Sequence, residues 1–210
     1  VTVTEPFRDW ILSGAFPAGR PAWEKAGAKF VDEIEPFEKR KLWLLNGAHS
    51  ILAYAGLARG HQTVAEAIAD DHCLNLVTRF WNDAVRHLPE ADLALDDYRQ
   101  ALLGRFSNPR IAHQLRQIAI DGATKLAVRI APIAAAELAA GREAAAEAEA
   151  LAAWINFLRA GDFKDSQSEA IRLALAQSDA ALIALLDPEI SKHTDFVSMV
   201  SQSTSIEERS

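Results

Sequence analysis

The chain is predicted to fold as an all-α, multi-helical domain. About 40 of its 210 residues are alanine, against 10 glycines, and alanine is the strongest helix former. From Glu38 onward, apolar residues recur at three- and four-residue spacings, the period of a buried helical face. No alternating run bounded by turn residues argues for a strand. At 22.9 kDa the chain is long enough for one domain, taken as residues 1–210, to bury a core without disulfides or metal staples.

The elements follow in order. Residues 1–36 hold Pro6, Pro17, Pro21 and Pro36 with Gly14, Gly19 and Gly27, punctuation that excludes long helices. Trp10 and Trp23 are expected to anchor this irregular segment. A helix then carries Leu42, Leu45, Ile51, Leu52 and Ala55 on one face and stops at Gly56 or Gly60. Thr63-Val64-Ala65-Glu66 has capping-box spacing and opens a short helix through Ala69. Leu74 to His87 is the next helix, ended before Pro89, and Asp97 to Phe106 follows. Asn108-Pro109 restarts the chain with Pro at the first helical position. Ile111 to Leu138 is helical by pattern, interrupted at Asp121-Gly122 and kinked or broken near Pro132. Glu143 to Ala160 presents Leu151, Trp154, Ile155 and Leu158 at helical spacing. Ser166-Gln167-Ser168-Glu169 is a second capping box leading into Ile171 to Ala176. Asp187-Pro188 caps and opens the last segment, and the polar tail from Ser201 is expected to fray.

Composition narrows the function. With 22 Lys+Arg against 29 Asp+Glu, a net charge of −7 disfavours nucleic acid and anionic lipid as partners. No apolar run reaches the roughly 18 residues of a membrane span, and no signal peptide is visible. The single cysteine, Cys73, excludes a disulfide framework and suggests a reducing, cytoplasmic setting. The chain opens Val1-Thr2-Val3-Thr4-Glu5-Pro6, like a linker, and its one methionine is Met199. It is therefore expected to be part of a longer protein. No glycine begins a G-x-G-x-x-G run, so no dinucleotide or triphosphate cradle is expected within this chain. His61, His72, Cys73 and His87 lack metal-ligand spacing, and no metal site is expected.

One constellation carries chemistry: Lys41-Leu42-Trp43-Leu44-Leu45-Asn46-Gly47-Ala48-His49. On an α-helix the offsets of five and eight residues place Lys41, Asn46 and His49 within a sector of about 140°. Asn46 and His49 are close i,i+3 neighbours. The apolar flank would desolvate the lysine and lower its pKa towards that of a general base. An amide and an imidazole beside it would polarise a carbonyl oxygen. By spacing alone the same pattern also suits an amphipathic helix with ordinary polar positions.

Lys-x4-Asn-x2-His, within Lys41 to Ser50, resembles the catalytic signature of the long-chain mannitol dehydrogenase family. Three further blocks match in order: Thr4-Glu5-Pro6-Phe7 with Trp10 and Gly19-Arg20-Pro21 with Trp23; Arg105-Phe106-Ser107-Asn108-Pro109; and Asp121-Gly122-Ala123-Thr124-Lys125. The resemblance covers roughly residues 4 to 130. The family comprises metal-independent polyol and sugar-acid dehydrogenases, among them fructuronate reductases (mannonate oxidoreductases) and arabinitol dehydrogenases.

The resemblance implies a helical C-terminal domain, like that of 6-phosphogluconate dehydrogenase. It would follow a covalently linked Rossmann-type domain, absent from this chain, that binds NAD or NADP. By match to the motif, Lys41 is the general acid/base and Asn46 stabilises the developing oxyanion together with an asparagine of the cofactor domain. His49 orients substrate. Glu38, three residues before Lys41, is placed to relay protons between Lys41 and solvent and equally suits a plain surface glutamate. Lys125 matches a substrate-contacting lysine. Mannitol-specific members carry Arg eight residues before that lysine, where this chain has Gln117. The segment from His113 to Gln117 looks more like the fructuronate reductase branch and favours D-mannonate and D-fructuronate as substrates, although Arg116 is placed to compensate. Here Asp-Gly-Ala also replaces the usual Asp-Gly-Ser. Arg105 and Asn108 are read as structural. The alternatives are a mannitol or arabinitol 2-ketose reductase and, in another class, a non-catalytic helical interaction module.

Overall fold

The computed structural model describes residues 7–89 and 91–207; the linker-like opening, residues 1–6, lies outside them. The described chain is helical almost throughout. One departure from the all-α expectation is a two-stranded parallel sheet, β1 (Ile11–Leu12) with β2 (Lys29–Phe30), in the register Ile11↔Lys29 and Leu12↔Phe30. Two residues are too few for alternation to register in the sequence, and the pairing partners lie far apart along the chain. Trp10, Phe16, Trp23 and Phe30 cluster beside this sheet, with the Arg20 guanidinium 3.2 Å above the Phe30 ring centre.

Helix α1 (Glu35–Arg40) runs without a break through a π-helical stretch, Lys41–Gly47, into α2 (Ala48–Ala58). Arg40 ties α1 to the preceding segment. It is buried, pairs with Asp9 at 2.7 Å, and donates to the Leu93 carbonyl at 2.6 Å. A short α3 (Val64–Ile68) opens on Thr63, whose hydroxyl accepts from Glu66 N–H while the Glu66 carboxylate accepts from Thr63 N–H, the reciprocal box expected. Helix α4 (Asp71–Val85) starts three residues earlier than its apolar pattern, because Asp70 accepts from His72 and Cys73 N–H. Helix α5 (Leu95–Phe106) follows, and Asn108 caps only a 3-10 turn at Pro109–Ile111.

The helical stretch 111–138, expected to be interrupted at Asp121-Gly122 and near Pro132, is three pieces: α6 (Leu115–Ile118), α7 (Gly122–Arg129) and α8 (Ala131–Ala139). The break at Asp121-Gly122 is real: Asp121 takes a left-handed φ of 55°, and its carboxylate accepts from Ser166 N–H. That bond redirects the second expected capping box. Helix α10 (Ser168–Leu175) begins on Gln167 without a side-chain cap. Helix α9 (Ala145–Arg159) precedes it, and α11 (Asp179–Leu186), which the sequence reading missed, follows on a Ser178 cap. Asp187 accepts from Glu189 and Ile190 N–H and leads into a 3-10 turn, Ile190–Lys192. The tail expected to fray instead continues as α12 (Thr194–Glu207), held by Ser201, which donates to Asp179, and by buried Thr204.

Helices α2 and α9 form the centre. α2 packs against α3, α4, α6, α7 and α9, and α12 covers α9. From Ser50 to Gly56 every residue of α2 is buried, as befits a helix that is apolar on all sides. This central position fixes Lys41–Gly47, the N-terminal extension of α2, rigidly to the core. No helix among the described residues is long and apolar enough to cross a membrane.

Candidate active site

The π-helical turn changes the geometry expected of the motif. Where α-helical winding would separate residues five apart by about 140°, an i→i+5 turn stacks them on one face. Lys41 and Asn46 accordingly line the same open cleft of about 750 Å3, together with Glu35, Glu38, Leu42, Ala127, Val128 and Pro132. Among the described residues neither the Lys41 ammonium nor the Asn46 amide has a hydrogen-bond partner. Trp43, Leu44 and Leu45 are buried, Trp43 also lining the cleft. They therefore leave Lys41 exposed, and the desolvation expected from the apolar flank is not supplied by this chain. Gly47 closes the turn against Phe80: a methyl there would meet the ring at 2.7 Å.

His49 faces elsewhere. Its ring lies 4.9 Å from that of Phe106 and 5.1 Å from that of His113. The recess they share with Arg105, Asn108 and Ile111 has a volume of about 20 Å3, room for one water. Burial, reinforced by His113, Arg105 and Arg129, pushes the His49 pKa down to about 3. The imidazole is thus neutral at working pH, a hydrogen-bonding group rather than an acid. Arg105 and Asn108, read as structural from the sequence, line this recess.

The remaining sequence-derived residues lie apart. Glu38 is exposed at the cleft edge. The Lys125 ammonium donates to the Ile118 and Ile120 carbonyls at 3.0 and 2.6 Å, and burial, then Arg129, lower its pKa. Gln117 is exposed and lines a separate recess of about 280 Å3 with Arg116, Ile120, Phe157, Asp162 and Lys164. The motif's residues are therefore brought together as Glu38, Lys41 and Asn46 in the cleft and His49 with His113 in a recess, while Lys125 and Gln117 join neither group. A cavity of about 320 Å3 between Tyr54, Leu57 and Phe157 sits towards the far end of α2 from Lys41. It contains none of the motif residues. His61, His72 and His87 pair separately with Asp70, Glu149 and Glu137.

Sequence reasoning missed two residues that touch this site, Trp81 and Arg129. The Leu44 carbonyl accepts from the Trp81 indole at 2.8 Å, and the Asn46 carbonyl accepts from Arg129 Nη1 at 3.3 Å. Nothing in local spacing marks them, because they come from α4 and α7. Their signal is the helix pitch itself, which is invisible in the sequence.

The description "Mannitol dehydrogenase C-terminal domain" fits residues 33–206 as a family model. The D-mannonate oxidoreductase of Escherichia coli is 34% identical over 176 residues, 82% of this chain and 36% of the relative. A mannitol 2-dehydrogenase of Emericella nidulans is 40% identical over 135 residues, 62% of this chain and 27% of the relative. Among solved structures, Pseudomonas fluorescens mannitol 2-dehydrogenase in ternary complex with NAD and D-mannitol superimposes with a TM-score of 0.79 at 34% identity, covering 96% of this chain and 44% of that one. The chain thus spans roughly a quarter to two-fifths of the length of these curated relatives.

Proposed function

This chain belongs to the mannitol dehydrogenase C-terminal domain family, and from that premise we propose that it is the proton-handling and substrate-holding part of a nicotinamide-dependent dehydrogenase. The reaction interconverts a secondary hydroxyl and the corresponding ketone of a sugar acid or polyol, with D-mannonate and D-fructuronate favoured. The observation that carries this reading is the pairing of unengaged Lys41 and Asn46 side chains in one cleft.

In oxidation Lys41 Nζ removes the hydroxyl proton, and in reduction it returns it. The Asn46 amide N–H donates to the same oxygen as negative charge develops there. Such a donor contributes roughly 10²–10³ in rate. His49, neutral, is assigned to a neighbouring hydroxyl on the motif match alone, since its ring faces the recess with His113 and not the cleft. Glu38, exposed beside Lys41, passes protons to solvent. Lys125 and Gln117 are assigned to the far end of the substrate on the motif match.

The residues present fit the reacting end of a nicotinamide. Leu42, Ala127, Val128 and Pro132 make an apolar wall in the cleft beside the two polar groups, against which a flat ring can lie. When bound, the nicotinamide supplies hydride exchange with the carbon that bears the reacting oxygen. No Gly-rich loop in this sequence cradles its phosphates, so an upstream Rossmann-type domain is assigned that task. Its closure over the cleft would desolvate Lys41. The relative solved with NAD favours NAD over NADP. A cytoplasmic location suits both the cofactor and the single buried thiol.

The sugar-acid preference rests on Gln117 and on similarity to the mannonate oxidoreductase. It is tested by following NADH and NADPH oxidation by the full-length protein with fructuronate, tagaturonate, fructose and xylulose. Turnover on the uronates supports the reading, whereas turnover only on neutral ketoses moves the substrate to the polyol branch. Silence on all four favours a non-catalytic interaction module.

A further inference from the structure

The wide turn at Lys41–Gly47 is held from outside its own helix. Such a turn has poorer hydrogen-bond geometry than an α-helix and persists where the surroundings over-determine it. Two of its carbonyls are held by side chains. Leu44 O accepts from Trp81 Nε1 on α4, and Asn46 O accepts from Arg129 Nη1 on α7 and from the Ser50 hydroxyl at 3.3 Å. Arg129 Nη1 also donates to Ser50 Oγ at 3.1 Å, closing a three-way link.

Neither Trp81 nor Arg129 lines the cleft. Trp81 is 2% exposed, and Arg129 Nε is buried without a partner. An unpartnered buried guanidinium donor is costly, more than packing alone would call for. Between them the two residues grip the turn one carbonyl either side of Leu45.

We propose that Arg129 and Trp81 are positioning residues that keep this turn wide and so keep the Asn46 amide on the Lys41 side of the helix. The inference rests on the dehydrogenase reading above. Relaxation to α-helical winding separates the two side chains by about 140° and swings the amide out of the cleft. Reaction rate then falls although neither residue touches substrate.

The test uses the full-length enzyme and whichever ketose or keto acid of the panel it turns over fastest. Arg129→Gln is expected to lower kcat per folded molecule tenfold or more, with the nucleotide KM within twofold of the parent and partial rescue in Arg129→Lys. Because Arg129 acts through Asn46, adding Arg129→Gln to Asn46→Ala is expected to cost less than twofold further. Trp81→Phe, which keeps the ring and removes the donor, is expected to behave the same way. Ser50→Ala deletes only the bridging hydroxyl and decides the matter if the larger substitutions fail to fold, with an expected threefold or greater loss in kcat that vanishes in the Asn46→Ala background. An unchanged kcat in these variants, or losses that multiply fully with that of Asn46→Ala, overturns the inference. Full activity in Lys41→Met overturns the dehydrogenase reading instead, so the two failures are distinguishable.

Discussion

His49 owes its state to its surroundings: desolvation first, then His113, Arg105 and Arg129 beside it, hold its ring neutral down to about pH 3. A ring-nitrogen NMR titration of His49 is expected to stay in the neutral form at pH 5, and a midpoint near 6.5 would contradict the buried recess. The same residue marks what the sequence could and could not convey. Lys41, Asn46 and His49 were legible as a spaced set of candidates, because motif spacing survives in a linear string, and Glu38 was added by resemblance. Their division between an open cleft and a one-water recess was not, since side-chain direction depends on helix pitch and on Phe106 and His113, far away in the chain. The expected desolvation of Lys41 failed for a related reason. Apolar neighbours in sequence bury themselves, and the polar residue between them is left on the outside.

Among the elements, the π turn is the one on which the site depends. Gly47 permits it by letting the Phe80 ring lie where a methyl would come within 2.7 Å. Gly47→Ala is expected to cost about 1–3 kcal/mol through overpacking, read as a drop in Tm of roughly 2–4 °C per kcal/mol for a chain of this size. An unchanged Tm would show that Phe80 moves aside freely. Elements written in local chemistry were readable: the Thr63–Glu66 box forms as its residues dictate. The Ser166–Glu169 box has the same letters, yet Ser166 N–H bonds Asp121 instead, a contact 45 residues away that no local pattern contains. Helix α11 was missed because its Ala-Ala-Leu-Ile-Ala-Leu-Leu run is apolar all round and has no periodic face to detect. Strands β1 and β2 were missed because two residues each carry no period at all.

For the whole molecule, stability depends on pH through groups buried on both sides of neutrality. Glu147 is fully buried, neither carboxyl oxygen has a partner, and burial, with Asp83 and Glu137 adding to it against Arg86, pushes its pKa up to about 8. Its folded value lies above the unfolded one, so its contribution is intact below about pH 4.5 and is lost as pH rises towards 8. His49 acts in the opposite sense, its contribution intact above about pH 6.5 and lost as pH falls towards 3. Glu147→Gln is expected to narrow the alkaline loss by several kcal/mol, roughly 8–15 °C in the Tm difference between pH 5 and pH 8.5. Parallel Tm curves for parent and variant would contradict a neutral buried acid. The cleft is open and Lys41 is exposed, and the proposed function assigns their cover to an upstream domain. The most direct measurement is therefore kcat of full-length Lys41→Met against the parent, with nucleotide affinity measured alongside. The expected loss is roughly 10²–10⁴ at unchanged nucleotide affinity, the range for removal of a general acid/base. Turnover within tenfold of the parent would contradict it.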